Sequence, residues 1–272
     1  MRAILNFALI YLVLALIWVF YTPFLAWLAV RELANPAADV NGCEDTLKRA
    51  GAGATLALRY CLDSDSPPKA RLRCARLLAL QGQPEGKQQL LEMLRAYGCD
   101  THNPIGAMAE AFILSVWAQH DAPPEPIRER LLHIELSPDP DVVKVITLTN
   151  ALIKNSGWAS GYARRARILL RNGEVLGARR DAFTALLLEP QNFDVMVTLS
   201  NILMRLNAPE QAYRCLEQAV RVNPRLKETQ ATEIRDARRG VEVEKARQRR
   251  ERRKEILVSV KCCRVLNLPS RI

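Results

Sequence analysis

Glycine and histidine are scarce in this sequence, and the short motifs of several enzyme classes are missing. The 272 residues include 12 glycines and 3 histidines. There is no Cys-x-x-Cys or His-Glu-x-x-His spacing, no glycine-rich phosphate loop and no Gly-x-Ser-x-Gly elbow. We therefore predict no catalytic residues, no metal site and no cofactor, and we expect that the chain is not an enzyme.

The residues that are abundant favour helices. Alanine, leucine and arginine dominate, and 49% of the chain is apolar while 25% is charged, as in a globular protein. Apolar residues recur at helical spacing, as at Leu72, Ala75 and Ala79. Proline and glycine separate such segments. We predict an all-α fold, with helices over residues 69–80, 86–97, 105–119, 127–136 and 142–154.

The N-terminal region lacks charge. No side chain between Arg2 and Arg31 is charged. At about 1.5 Å per residue, a helix over this run reaches roughly 42 Å, which exceeds the ~30 Å hydrocarbon core of a bilayer. We predict that residues 1–34 form a membrane anchor with one transmembrane helix over residues 3–22. Trp18, Tyr21 and Trp27 fit the aromatic belt of the interface.

A cleaved signal peptide and a buried core helix are the alternatives to an anchor for this run. A cleaved signal peptide has an apolar region of about 7 to 15 residues, which is much shorter. A buried core helix needs a partner layer that covers it on all sides. Basic residues at Arg31, Lys48 and Arg49 follow the run, so counting positive charges places the body on the cytoplasmic side of the inner (cell) membrane.

The seven cysteines do not indicate a disulfide framework, because their number is odd and two of them are adjacent. A bridge between Cys43 and Cys61 in an oxidising compartment stays open. Cys262 and Cys263 could bind a metal or carry an acyl chain beside Lys261. An inert tail is the alternative for that pair.

Two stretches that lie 34 positions apart carry matching residues. They read GARRDAFTALLLEP (177–190) and QAYRCLEQAVRVNP (211–224). Short paired helices at this period are typical of stacked helical hairpins, each of which hides its apolar face on the next. The matching pairs are Ala178 with Ala212, Arg180 with Arg214, Ala185 with Ala219 and Pro190 with Pro224.

On these residues the chain resembles a tetratricopeptide repeat protein over two units, 159–192 and 193–226. The resemblance implies that the paired alanines lie where helices approach closely. Arg165 departs from the family pattern, which indicates an exposed or unusually packed edge. Ala182 stands where the family has a large residue, so Phe183 is expected to fill that place.

Upstream, residues 61–158 look like HEAT-type helical hairpins, although any stack of α-hairpins could have this pattern. Residues 35–60 are predicted as a linker or irregular helical segment. Together these regions predict a right-handed α-solenoid of tetratricopeptide and HEAT-like hairpins after one transmembrane helix.

The resemblance also implies a concave, peptide-binding groove built from the first helix of each hairpin. Asn201 fits a peptide backbone, because an amide both donates and accepts, and the arginines fit a carboxylate. A solvated face is the alternative for these arginines. The groove residues carried over are Arg167, Leu170, Arg171, Asp194, Val197, Asn201, Met204 and Arg205.

Residues 227–272 form a basic extension with 14 lysines and arginines against 7 aspartates and glutamates. The signs are mixed over Arg235 to Glu255 and the apolar stripe is weak, so we predict a helix that extends into water without packing on the body. The alternative is a basic-tail factor that binds anionic lipid or nucleic acid.

We therefore expect a membrane-anchored scaffold or adaptor that binds partner proteins. Its layout is similar to that of inner-membrane proteins of bacterial envelope assemblies, including the PelE-like proteins of Pel exopolysaccharide export. The expected partners are other membrane-associated protein subunits and the lipid of the inner membrane. Nucleic acid is not expected as a partner.

Overall fold

The computed structural model describes residues 21–33, 39–63, 65–120, 140–154 and 157–265. Every regular element in these ranges is helical, which confirms the prediction of an all-α chain. A 3₁₀ turn at Gly51–Ala54 separates α2 from α3. The helices are α1 (residues 21–33), α2 (Val40–Ala50), α3 (Thr55–Asp63), α4 (Pro68–Leu80), α5 (Pro84–Tyr97), α6 (Pro104–His120), α7 (Pro140–Lys154), α8 (Ala159–Arg171), α9 (Val175–Leu188), α10 (Phe193–Arg205), α11 (Pro209–Val222), α12 (Leu226–Thr229) and α13 (Ala231–Val265).

Proline and glycine set the helix boundaries, as the sequence predicts. A proline occupies the first position of five helices, where its missing N–H would have no intrahelical partner and its fixed φ matches the helix. Three joints use a residue in the left-handed region: Gly82 (φ 79°), Gly173 (φ 83°) and Asn207 (φ 56°). The predicted helix over residues 127–136 lies outside the described residues.

The chain divides into two compact units, each with its own core. The first comprises residues 1–128 together with Val222–Arg225. Within it α3 packs on α4, α4 on α5 and α5 on α6, so consecutive helices are neighbours in space. Leu47 and Leu58 are fully buried within residues 35–60, the predicted linker or irregular helical segment.

Helix α1 belongs to the core of this first unit. Ala26, Ala29, Val30 and Leu33 stand at positions i, i+3, i+4 and i+7 and so share one helical face, and their exposed fractions do not exceed 6%. They pack with α2, α3 and α4 in one apolar cluster. The second part of the predicted anchor is therefore half buried against protein.

None of the helices in the described ranges has both the length and the apolar composition that crossing a bilayer requires. The predicted crossing at residues 3–22 lies outside the described residues except for Tyr21 and Thr22.

A carboxylate fixes the short segment Val222–Arg225 within the first unit. Glu110 on α6 accepts hydrogen bonds from Asn223 Nδ2 at 2.7 Å and from Arg225 Nε at 2.8 Å. Arg225 also donates to the Thr101 carbonyl at 2.9 Å. The Arg225 and Glu110 side chains are only 13% and 22% exposed, so this ion pair is better shielded from solvent than a surface pair.

The second unit comprises residues 129–221 and 226–272. It contains a repeat whose helix boundaries keep the 34-residue period: α8 and α10, and likewise α9 and α11, begin and end 34 residues apart. The paired alanines of the repeat, at positions 178, 185, 212 and 219, are at most 1% exposed. Small side chains there allow close helix packing, as the repeat pattern implies.

One expectation about this unit is wrong, and a second is wrong in part. Phe183 is 41% exposed beneath Arg179 because it lies one residue, about 100° of helix rotation, beyond the fully buried Ala182. The start of α13 also packs on the body rather than extending into water. Ala237 is fully buried, and a side chain at Gly240 would meet Pro209 Cβ at 2.7 Å, whereas residues 245–255 are all exposed.

Candidate functional site

The predicted groove residues of α10 form the accessible strip of a helix that is otherwise buried. Eight of its thirteen residues are buried, including the polar Thr198 and Ser200. Their hydroxyls donate to the carbonyls of Asp194 and Val197, so neither is left without a hydrogen bond. The partly or fully exposed positions are Asp194, Val197, Asn201, Met204 and Arg205.

Helix α8 contributes a second strip. Arg167 and Arg171 are exposed and Leu170 is half-buried, while the other face of α8 carries the buried Ala163 and Ala166. Helices α8 and α10 contact each other. The structure therefore brings the eight predicted residues into two neighbouring strips, which together are called the groove strip below.

Two contacts join the strips and use part of their binding capacity. Arg167 Nη2 donates to Asp194 Oδ2 at 2.6 Å, and both side chains are close to half exposed. Arg205 Nη1 donates to the Leu170 carbonyl at 2.8 Å. A guanidinium has five N–H donors, so neither contact exhausts its arginine.

Asn201 lies between these contacts along the strip. Its amide is exposed and makes no hydrogen bond with another described residue. Half-buried apolar groups from Leu170 and Met204 pack against the core of the unit on either side. The groove strip thus combines the half-buried apolar side chains of Leu170 and Met204 with exposed hydrogen-bonding and cationic side chains.

A buried polar cluster behind this strip was missed by sequence reasoning. Arg165 donates to both carboxylate oxygens of Asp181, from Nε at 2.6 Å and from Nη2 at 2.8 Å, and to Thr149 Oγ1 at 3.0 Å. The hydrogen bond to Asp181 raises the pKa of the Arg165 guanidinium. Asp181 lies on the same helical face as Ala178, Ala182 and Ala185, and this acidic residue among buried alanines was the available signal.

The cysteines of the first unit do not form a bridge between Cys43 and Cys61. Cys43 and Cys61 are free thiols. Cys43 donates to Glu32 at 3.5 Å, while Cys61 accepts hydrogen bonds from Cys74 and Ser66, which lower the pKa of Cys61. The hydrogen bond to Cys61 raises the pKa of Cys74 in turn. The side chains of Cys262 and Cys263 lie outside the described residues.

Among the residues that the structure describes, no three His, Cys, Asp or Glu side chains converge as a set of metal ligands would.

Comparison with known protein families, with curated proteins and with solved structures found no match. The resemblance to tetratricopeptide repeats therefore depends on the residues and helices of this chain alone.

Proposed function

We propose that this chain is a membrane-anchored scaffold that binds other protein subunits through the groove strip. In this proposal the hairpins form a right-handed α-solenoid of tetratricopeptide and HEAT-like units, and the inner helices α8 and α10 present the binding surface. The observation that carries the proposal is the groove strip itself, an accessible strip on helices whose other faces are buried. The exact 34-residue spacing of the helix boundaries supports the repeat assignment.

The chemistry of the groove strip favours an extended peptide with an acidic side chain or a terminal carboxylate. Asn201 offers a donor and an acceptor to a peptide backbone. Arg171 on α8 and Arg205 on α10 occupy the same position of the 34-residue repeat. A guanidinium binds a carboxylate through two parallel hydrogen bonds. Asp194 keeps Arg167 oriented in the free protein.

The membrane part of the proposal is supported by the uncharged run from Ala3 to Val30, which is long enough for one crossing. A scaffold tethered in this way would hold its partners beside the inner membrane. A bacterial envelope assembly, such as one that exports exopolysaccharide, is the setting that we propose, with the body in the cytoplasm.

The experiment measures peptide binding by the full-length chain in detergent micelles. The probes are acidic peptides with a free C-terminal carboxylate and the same peptides with an amidated C-terminus. Arg171→Ala with Arg205→Ala should weaken carboxylate binding roughly tenfold or more, since a hydrogen bond to a charged group contributes about 1.5–3 kcal/mol. Arg179→Ala with Arg180→Ala, two exposed arginines on α9, is the matched control.

Equal affinity of the two variant pairs would contradict the proposal. So would equal binding of carboxylate and amide peptides, because the arginines would then have no role in recognition.

A second candidate function uses the exposed end of α13. Residues 245–255 are all exposed and carry seven lysines or arginines against two glutamates. Each basic residue near an anionic lipid surface contributes about 1 kcal/mol. The helix could therefore bind anionic lipid, with nucleic acid as the competing ligand.

Protection from trypsin tests this second candidate. In vesicles that contain phosphatidylglycerol, the reconstituted chain should be cleaved after Arg249 and Arg252 more slowly than in vesicles of phosphatidylcholine. High salt should remove the difference, because it screens charge attraction. Equal cleavage in both vesicles would exclude a lipid-binding tail.

A further inference from the structure

Helix α1 exposes an aromatic face on the side opposite its buried one. Tyr21, Phe24 and Trp27 follow one another at intervals of three residues and are 56%, 56% and 43% exposed. Arg31 continues the same face, with its guanidinium 5.8 Å from the centre of the Trp27 ring. Contiguous exposed apolar patches mark protein or membrane interaction sites, so this face indicates a contact surface.

Helix α3 extends this face. Leu56 and Tyr60 are four residues apart, so they lie on one side of α3, and they are 78% and 65% exposed. Trp27, Arg31 and Tyr60 line one open pocket of about 400 Å³, which shows that the exposed sides of α1 and α3 share a surface. The aromatic face is defined here as Tyr21, Phe24, Trp27, Leu56 and Tyr60.

The neighbouring sequence indicates what covers the aromatic face. The chain enters α1 directly from Ala3–Phe20, a run of eighteen residues without a charged side chain. The aromatic face begins where that run ends. Tryptophan and tyrosine are enriched at the boundary between the hydrocarbon and the headgroups, where the ring is in an apolar layer and its N–H or O–H reaches water.

We propose that the aromatic face inserts into the headgroup and glycerol region of the phospholipid bilayer, so that the first unit lies on the membrane surface. This inference rests on the proposed membrane anchor. It adds that the first unit has a fixed orientation, in which α1 and α3 contact lipid and the buried face of α1 contacts the rest of that unit. Arg31 lies at the height of the lipid phosphates, where its cation is paired with an anion.

Photo-crosslinking of the full-length chain in phospholipid vesicles tests the inference. p-Benzoylphenylalanine replaces Trp27, Tyr60 or, as the matched control, Phe183 on α9, whose exposed fraction of 41% is close to that of Trp27. The vesicles contain phosphatidylethanolamine and phosphatidylglycerol with a labelled phospholipid. Lipid adducts should form several-fold more often at positions 27 and 60 than at position 183.

A second variant separates the aromatic face from the anchor. Leu56→Glu with Tyr60→Glu places two charges on the face, and lipid adducts at position 27 should fall several-fold while the chain still sediments with vesicles. Leu187→Glu, at an 81% exposed position on α9, should leave the adducts unchanged.

The outcomes distinguish this inference from the proposed function. If the chain sediments with vesicles but forms adducts equally at positions 27, 60 and 183, the aromatic face does not contact lipid and only this inference fails. Adducts to a second protein chain instead of lipid would also overturn it. If the chain does not sediment with vesicles, the membrane anchor and this inference fail together.

Discussion

Arg165 and Asp181 form a two-point ion pair that joins α8 to α9 in a nearly dry environment. The distances are 2.6 and 2.8 Å, and the side chains are 18% and 8% exposed. A pair with the same residue types, Arg167 with Asp194, joins α8 to α10 at 2.6 Å but is 50% and 43% exposed. The two pairs therefore differ mainly in their contact with water.

Because of this difference, replacing the arginine of each pair by alanine should lower the free energy of unfolding by different amounts. Arg165→Ala should lower the free energy of unfolding by about 3 kcal/mol or more, because it leaves the Asp181 carboxylate buried without its partner. Arg167→Ala should cost about 0.2–1 kcal/mol, since solvent screens an exposed pair. Denaturant unfolding of the full-length chain in micelles, followed by circular dichroism, compares them. Similar losses for both would show that burial does not set the strength of the Arg165 pair.

Helix α5 crosses α4 closely at Gly86, so a larger residue at this position should lower the stability of the first unit. A Cβ at Gly86 would clash with the backbone N of Ala79 and the carbonyl of Ala75, neither of which can move alone. Gly86→Ala should therefore destabilise the first unit by about 1–3 kcal/mol, despite alanine's higher helix propensity.

Gly177 on α9 is the control, since a Cβ there would meet Leu169 Cδ1 at an ordinary 3.4 Å. Gly177→Ala should be neutral or stabilise by up to about 1 kcal/mol. Thermal unfolding measures the stability of both variants. A Gly86→Ala variant that is more stable than the parent chain would mean that α4 and α5 are not in contact at this position.

The helices were predictable because their signals are local. Proline at a first helical position, as at Pro84, acts on the next few residues, and the 34-residue period can be found by comparing the sequence with itself. The Arg165–Asp181 pair was not predictable, because it depends on how two helices face each other, and the sequence showed only that Arg165 departs from the repeat. For the same reason the repeat pattern predicts Phe183 in the core, although it is exposed. A shift of one residue turns the side chain about 100° around the helix, from the buried face to the exposed one.

The groove strip was predictable in part. Its α10 positions were carried over from the resemblance to tetratricopeptide repeats, and the structure shows that all five are at least partly exposed. The pairing of Arg167 with Asp194 and of Arg205 with the Leu170 carbonyl could not be inferred, because each contact joins groups from two different hairpins.

The cysteines predict a pattern of thiol reactivity that depends on burial and pH. Cys99 is exposed, whereas Cys43, Cys61 and Cys74 are buried, so an alkylating reagent should modify Cys99 before these three in the folded protein. Mass spectrometry of the modified chain identifies the sites. Early modification of Cys74 would mean that the first unit opens readily.

The reactivity of Cys215 should depend on pH. Burial raises the pKa of its thiol, so the thiolate is scarcer at neutral pH than for an ordinary cysteine and alkylation should keep accelerating above pH ~8.5. The stability that this neutral thiol contributes is present below the unfolded-state pKa of about 8.5 and is lost as the pH rises through the higher folded-state pKa. Cys215→Ala should reduce that alkaline loss, which thermal unfolding at several pH values measures.

Helix α13 changes from a packed to a solvated helix along its length, and one substitution made at two places tests this change. Ala237 is fully buried and Ala246 is exposed. Ala237→Asp should cost several kcal/mol, because it buries a charge without a partner, and Ala246→Asp should change the stability by less than about 0.5 kcal/mol. Denaturant unfolding of the full-length chain measures both. Equal, small changes in stability for the two variants would show that α13 is solvated from its first turn. The contact of Gly240 with Pro209 would then not hold α13 to the second unit.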